Sequence, residues 1–143
     1  MQTPSFEEIV ARIVTSDHRY ATDAFFFVRD ALNHTQAIIA KEAKASKASP
    51  RHVSGQELLE GVRQYALTTY GPMTLVLLNE WRLNRCEDFG EIVFLLVEHG
   101  ALSKTEKDQR SDFQNGYDFQ SAFRQPFLPQ YLRSTAVTTT TPA

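Results

Sequence analysis

A single cysteine, a single tryptophan and only six glycines in 143 residues put several classes of protein out of reach. Cys86 has no partner in its own chain, so no intrachain disulfide can form, and a lone thiol suits a reducing compartment. Long apolar runs are also missing. The longest aliphatic or aromatic stretch is Ile92–Val97, far short of the roughly 20 residues that span a bilayer. The first segment, MQTPSFEEIVARIV, carries acids where a secretory leader would carry its basic region. A surplus of positive charge is lacking too: the net charge is −2, which argues against a dedicated nucleic-acid binder. These absences set the expectation of a soluble, cytoplasmic protein with no membrane association.

Catalytic and metal-binding patterns are equally sparse. There is no HxxxH, no ExxH and no cysteine pair, so neither a zinc nor a di-iron helix motif is present and no metal or cofactor is expected. Glu57 and Glu60 share a helix face, and Asp17-His18 could offer ligands, but helix capping accounts for Glu57 and for the pair. A Cys–His nucleophile would have to use Cys86 with a histidine. His99, the nearest downstream, is 13 residues along one predicted helix. At about 1.5 Å of rise per residue that places it roughly 20 Å away, beyond hydrogen-bond reach. His18, His34 or His52 could approach Cys86 only through tertiary folding, and for want of any constellation the expectation is a non-enzyme with no catalytic residues.

What is present reads as one helical domain. The length suits a single domain, which typically runs to roughly 100–200 residues. A first helix is predicted over about Thr3–Val14, with Pro4 at its first position and Phe6, Ile9, Val10, Ile13 and Val14 on one face. A second carries Tyr20, Ala24, Phe27, Val28, Ala31 and Leu32 as a stripe. Phe25 and Phe26 fall outside that stripe, so this helix should contact neighbours on two sides. It is expected to run past Ile38 and Ile39 into the lysine-rich segment and to stop at Pro50.

The third helix has the clearest start. In HVSGQELL, Ser54 is the cap, Glu57 the reciprocal acid three residues on, and Val53 the staple onto Leu58. Gly71-Pro72 ends it. A fourth helix over 72–83 and a fifth over 88–99 are apolar around most of their circumference, so both are expected at the centre, covered by the amphipathic helices.

The fifth helix opens with EDFGE, whose core Asp88-Phe89-Gly90 spells the metal-holding tripeptide of protein kinases. A kinase also needs a Gly-rich loop, a strand lysine paired with a helix glutamate, and an HRD loop, none of which is here. Asp88 and Glu91 instead stand in the N-cap and N3 relation of a helix start. After Gly100 the chain turns polar. Asn115-Gly116 suggests a tight turn, so a loop, a short irregular or β-hairpin excursion and a helical turn over Phe119–Phe123 are expected. The composition assigns 1–127 to one mainly α domain, a compact bundle of about five helices, and 128–143 to a disordered tail.

Taken in order, DHRY, HVSGQELLEGVRQYA, DFGEIVF and the later DF…YDF…AF resemble a family of short bacterial proteins of unknown function. The resemblance covers roughly residues 6–123, implies a compact, mainly helical domain, and implies no mechanism. The lysine-rich segment and the threonine-rich tail lie outside the shared pattern.

Two candidate surfaces follow. Residues 53–100 hold three basic residues against seven acids, whereas Lys41, Lys44, Lys47 and Arg51 cluster with only Glu42 among them. With His52 these form a basic segment that could contact phosphate or RNA, and Arg51, His52 and Gly55 at a helix start could attract an anion. Glu57 would repel that anion, and Ser54 already uses one donor. Base reading by the fifth helix is excluded because its polar residues, Glu91, Glu98 and His99, include two acids. The second surface is aromatic: Phe25, Phe26, Tyr117, Phe127 and Tyr131 exceed what the apolar stripes use, and are expected either to meet a protein partner or to join the core. The preferred expectation is a protein–protein interaction or assembly module, and the alternative is a nucleic-acid- or ribosome-associated protein.

Overall fold

The computed structural model describes residues 3–47, 53–102 and 109–129. Five α-helices dominate them: α1 Phe6–Ser16, α2 Thr22–Ala45, α3 Gly55–Tyr70, α4 Thr74–Glu80 and α5 Cys86–Glu98. A 3-10 turn follows at Arg110–Phe113, then a π turn at Gln120–Arg124 that runs into a 3-10 turn at Gln125–Phe127. No strand occurs among the described residues, so the fold is an all-helical bundle and the hairpin alternative is not seen. Asn115 does turn the chain, with φ of 55°. Its aromatic flanks pack on helices instead of pairing with each other: Phe119 stacks on Phe89 with ring centroids 5.5 Å apart, and Phe113 lies against α3 and α5.

The helix starts follow local chemistry. α1 begins later than the proline suggests: Ser5 is its cap, accepting from the Glu8 N–H at 3.2 Å, and Pro4 lies outside the helix. α3 has the predicted capping box, with Glu57 N–H donating to Ser54 Oγ at 3.1 Å and Ser54 N–H donating to Glu57 Oε1 at 3.0 Å. α5 starts two residues before Asp88, at Cys86. Asp88 is therefore the N3 residue and not the cap. Its Oδ2 accepts from the backbone N–H groups of Asn84 at 2.8 Å and Arg85 at 3.2 Å. The carboxylate still satisfies the helix start, but from inside the first turn.

The centre belongs to α2 and α5, which corrects the expectation for α4. Ala24, Phe25, Val28 and Ala31 of α2 are no more than 1% exposed, and Phe89, Ile92 and Leu96 of α5 are fully covered. Each large apolar side chain so buried contributes about 1.5–3 kcal/mol. α2 meets α3 where Gly61 faces Thr35; a Cβ at Gly61 would collide with the Thr35 side chain, so only glycine permits this approach. Thr35 spends its hydroxyl on the Ala31 carbonyl at 2.8 Å, leaving no unpaired donor at that contact.

α4 is a two-turn helix at the edge. Only Thr74 and Leu78 on it are buried. Thr74 anchors it by donating to the carbonyls of Ala66 and Gly71. Apolar residues all round a helix do require cover, but here neighbours reach one side only. Leu83, just beyond the helix, is the residue that goes fully into the core.

Candidate functional site

The kinase-like tripeptide resolves into three packing roles. Asp88 Oδ1 accepts from the Tyr20 hydroxyl at 2.8 Å while Oδ2 holds the helix start. Phe89 is fully buried beside Phe27 and Phe119. Gly90 makes room for Phe113, since a Cβ there would lie 2.7 Å from the ring. Gly55 of α3 meets the same ring from another side. Phe113 thus packs against two glycines: a Cβ at Gly90 would collide with its ring, and one at Gly55 would meet Asp112 first and the ring at 3.3 Å.

The remainder of DHRY joins this junction. Arg19 donates to Asp17 and to Glu91 Oε1, the latter at 3.1 Å, and Arg110 reaches the other Glu91 oxygen at 3.1 Å. Glu91 therefore ties the α1–α2 connection and the 3-10 turn to α5. These carboxylates and guanidinium groups neutralise each other, and Asp17 is held below the ordinary carboxylate range mainly by its hydrogen bond from Arg19. Arg82 closes the same edge by donating to the His18 carbonyl at 2.7 Å. The assembly clasps the α1–α2 connection, α5 and the 3-10 turn together.

Cys86 is buried in this setting. Its Sγ lies 3.4 Å from the Tyr117 carbonyl, and burial pushes the thiol up to about 11. Cys86 begins α5 and His99 caps its far end, so the helix itself keeps them apart. His99 Nδ1 is paired locally with the Leu95 carbonyl at 2.9 Å.

Of the five aromatic candidates, three are drawn into the fold. Phe25 is 1% exposed, and Phe26 packs edge-on against Phe6 with centroids 5.3 Å apart. Tyr117 packs on Phe119 and Phe123 while its hydroxyl donates to the Leu59 carbonyl at 2.7 Å. Phe25 is buried outright, and Phe26 and Tyr117 are half-buried against the core. Phe127 is 42% exposed, and Tyr131 lies outside the described residues.

Phe127 is not alone on the surface. The exposed large hydrophobic residues among those described are Met73 (54%), Val76 (53%) and Phe127. Val76 and Phe127 line one shallow groove of about 290 Å³ together with Pro72, Leu75, Phe123 and Leu128, with Arg124 at its side. Met73 precedes Val76 by one helical turn. Val76 of α4 and Phe127 of the C-terminal turns therefore share one largely apolar groove. The sequence pattern pointed to Phe127 but placed Met73 and Val76 in a central helix.

The basic candidates divide differently. Lys41 and Lys44 lie on the last turns of α2 and Lys47 in the turn beyond it, all three exposed; the helix runs into the lysine-rich segment as expected and ends at Ala45. Cations at a helix C-terminus complement the macrodipole, which accounts for Lys44 without a ligand. Arg51 and His52 lie outside the described residues. Asp112 lines the same groove as Ser54 and Gly55 at the α3 start, with its Cβ 2.7 Å from where a Cβ on Gly55 would stand. With Glu57 in the capping box, that helix end already has carboxylate company, which opposes an anion there.

Compared with family models, curated proteins and solved structures, the chain finds no match. Its function must therefore be argued from its own surfaces. No helix among the described residues is long and apolar enough to cross a membrane.

Proposed function

We propose that this chain is a non-catalytic protein–protein interaction or assembly module of the cytoplasm, contacting its partner through α4 and the C-terminal turns. One observation carries the reading: Val76 and Phe127, from separate elements, are both about half exposed and line the same apolar groove. Exposed apolar side chains scattered singly need no explanation, whereas ones gathered on one face mark contact surfaces. Groups that in other proteins carry chemistry are here engaged in capping, clasping and packing, as Asp88, Arg19 and Cys86 illustrate.

The test is affinity capture with the wild-type chain and with Val76→Asp and Phe127→Ser. Both positions are exposed, so both variants should keep the wild-type fold by circular dichroism. A partner captured by wild type and lost from both variants supports the reading. A partner retained equally by both would remove this face from consideration.

The alternative is a nucleic-acid- or ribosome-associated protein that uses Lys41, Lys44, Lys47, Arg51 and His52. Exposure of the three lysines is the observation in its favour. Replacing Lys41, Lys44, Lys47 and Arg51 with Gln should flatten the salt dependence of any RNA binding, by about 0.7 in log–log slope for each lost contact on a single strand. The preferred reading expects only weak RNA binding by the wild type and unchanged partner capture by the neutralised variant. Sub-micromolar RNA affinity at physiological salt, lost on neutralisation, would reverse the choice.

A further inference from the structure

The groove between α4 and the C-terminal turns has more of its own chain at its edge. Phe123, with no exposed surface, lies at its base; Pro72, Leu75 and Val76 line it from the α4 side, and Phe127 and Leu128 from the other. At about 290 Å³ it falls just short of the roughly 300–1,000 Å³ of small-molecule pockets, a size that suits one or two side chains. Thr74 holds α4 in place through the Ala66 and Gly71 carbonyls, so the groove needs little ordering when it is filled.

The sequence after Leu128 matches this surface. Leu128 lines the groove with its backbone extended, at φ −82° and ψ 151°. Pro129 and Gln130 follow, and then Tyr131 and Leu132, an aromatic and an aliphatic residue side by side. Residues 130–143 lie outside the described ones, and Val137 is the one other large apolar residue in that stretch of sequence. Proline is favoured at the second position of a four-residue turn, which brings the first and fourth Cα atoms within about 7 Å. Leu128-Pro129-Gln130-Tyr131 has that pattern, so Tyr131 is in reach of the groove that Leu128 lines. So short a tether gives an effective concentration on the order of millimolar, which favours this segment over a free one. Arg124, exposed at the groove's side, offers a guanidinium for the tyrosine ring to lie against. The like charge of Arg133 opposes docking beyond Leu132.

We propose that Tyr131 and Leu132 fold back within the same chain onto this groove, beside Val76 and Phe127, and that a partner must displace them. The displacement rests on the contact-face reading; the contact within the chain does not.

In the full chain at low concentration, NOEs should connect the Tyr131 ring to the Val76 methyl groups and persist on dilution. Tyr131→Ser combined with Leu132→Ser should remove them and shift the Val76 methyls, whereas Val137→Ser should change nothing. A synthetic peptide of residues 129–135 should bind the double variant in their place. It should bind the wild type about tenfold more weakly, as a groove about 90% occupied requires. Missing NOEs in the wild type, or peptide binding that is absent from the double variant or equal in both, would overturn the proposal. NOEs between labelled and unlabelled chains in a mixed sample would overturn it too, by making the occupant a second copy. These readouts use the isolated chain, so partner capture retained by Val76→Asp would sink the contact-face reading and leave the Tyr131 contact standing.

Discussion

The Tyr20 hydroxyl donates to Oδ1 of Asp88 at 2.8 Å, so the connection between α1 and α2 is fastened to the first turn of α5 by one hydrogen bond. The same carboxylate caps two backbone N–H groups with its other oxygen. Tyr20→Phe should therefore destabilise by about 1–2 kcal/mol, as expected for a partly buried bond to a charged acceptor. Asp88→Ala removes that bond and both caps, and should be clearly worse. Urea denaturation of the two variants measures the difference. Equal destabilisation would show that the backbone caps contribute nothing.

Gly90→Ala would ordinarily favour a helix by about 0.8–1 kcal/mol. Here the added methyl meets the Phe113 ring at 2.7 Å, and overpacking of this kind costs about 1–3 kcal/mol. The expected net effect is destabilising. Combining it with Phe113→Leu should recover part of the loss, giving a coupling of at least about 0.5 kcal/mol in a double-mutant cycle. Strict additivity would mean that the ring moves aside freely.

Burial raises the Cys86 thiol from its ordinary value of 9.0 to about 11. Between those values the unfolded chain loses a proton that the folded chain keeps, so stability should fall as pH rises from 9 toward 11. Well below 9 this group contributes no slope. Burial also raises Tyr117 above the usual phenol range, which adds a loss of the same sign at still higher pH. Denaturation midpoints measured across this range should decline for wild type, and the decline should be shallower near its start for Cys86→Ala. The native thiol should also resist alkylation at pH 8 until the chain is unfolded.

Ser54→Ala removes the acceptor for the Glu57 N–H and should cost about 0.5–2 kcal/mol. Partner capture should be unchanged at a temperature where the variant stays folded, because Ser54 is remote in role from the α4 face. Loss of binding without loss of stability would assign Ser54 to a contact site.

Much of this fold was legible because its determinants are local. The Ser54–Glu57 capping box depends on residues three apart, and its hydrogen bonds form as the spacing predicts. The apolar spacing of Ile9, Val10 and Ile13 likewise reports which side chains share a face, and those three are buried. Where a second carboxylate competed for the role of cap, at Asp88, the spacing alone misplaced the α5 start by two residues. A side chain three residues inside the helix can satisfy the same N–H groups, so both registers look alike in sequence.

Tertiary structure decided which apolar surfaces are covered. Phe25 and Tyr117 looked surplus to the helical stripes, yet distant elements close over them. Met73 and Val76 looked central, yet no described element closes over them. Periodicity can place residues on one side of a helix because that geometry is set by the backbone. Whether another segment arrives to bury that side depends on contacts far apart in sequence, and so the exposed face of α4 emerges only when the chain is folded.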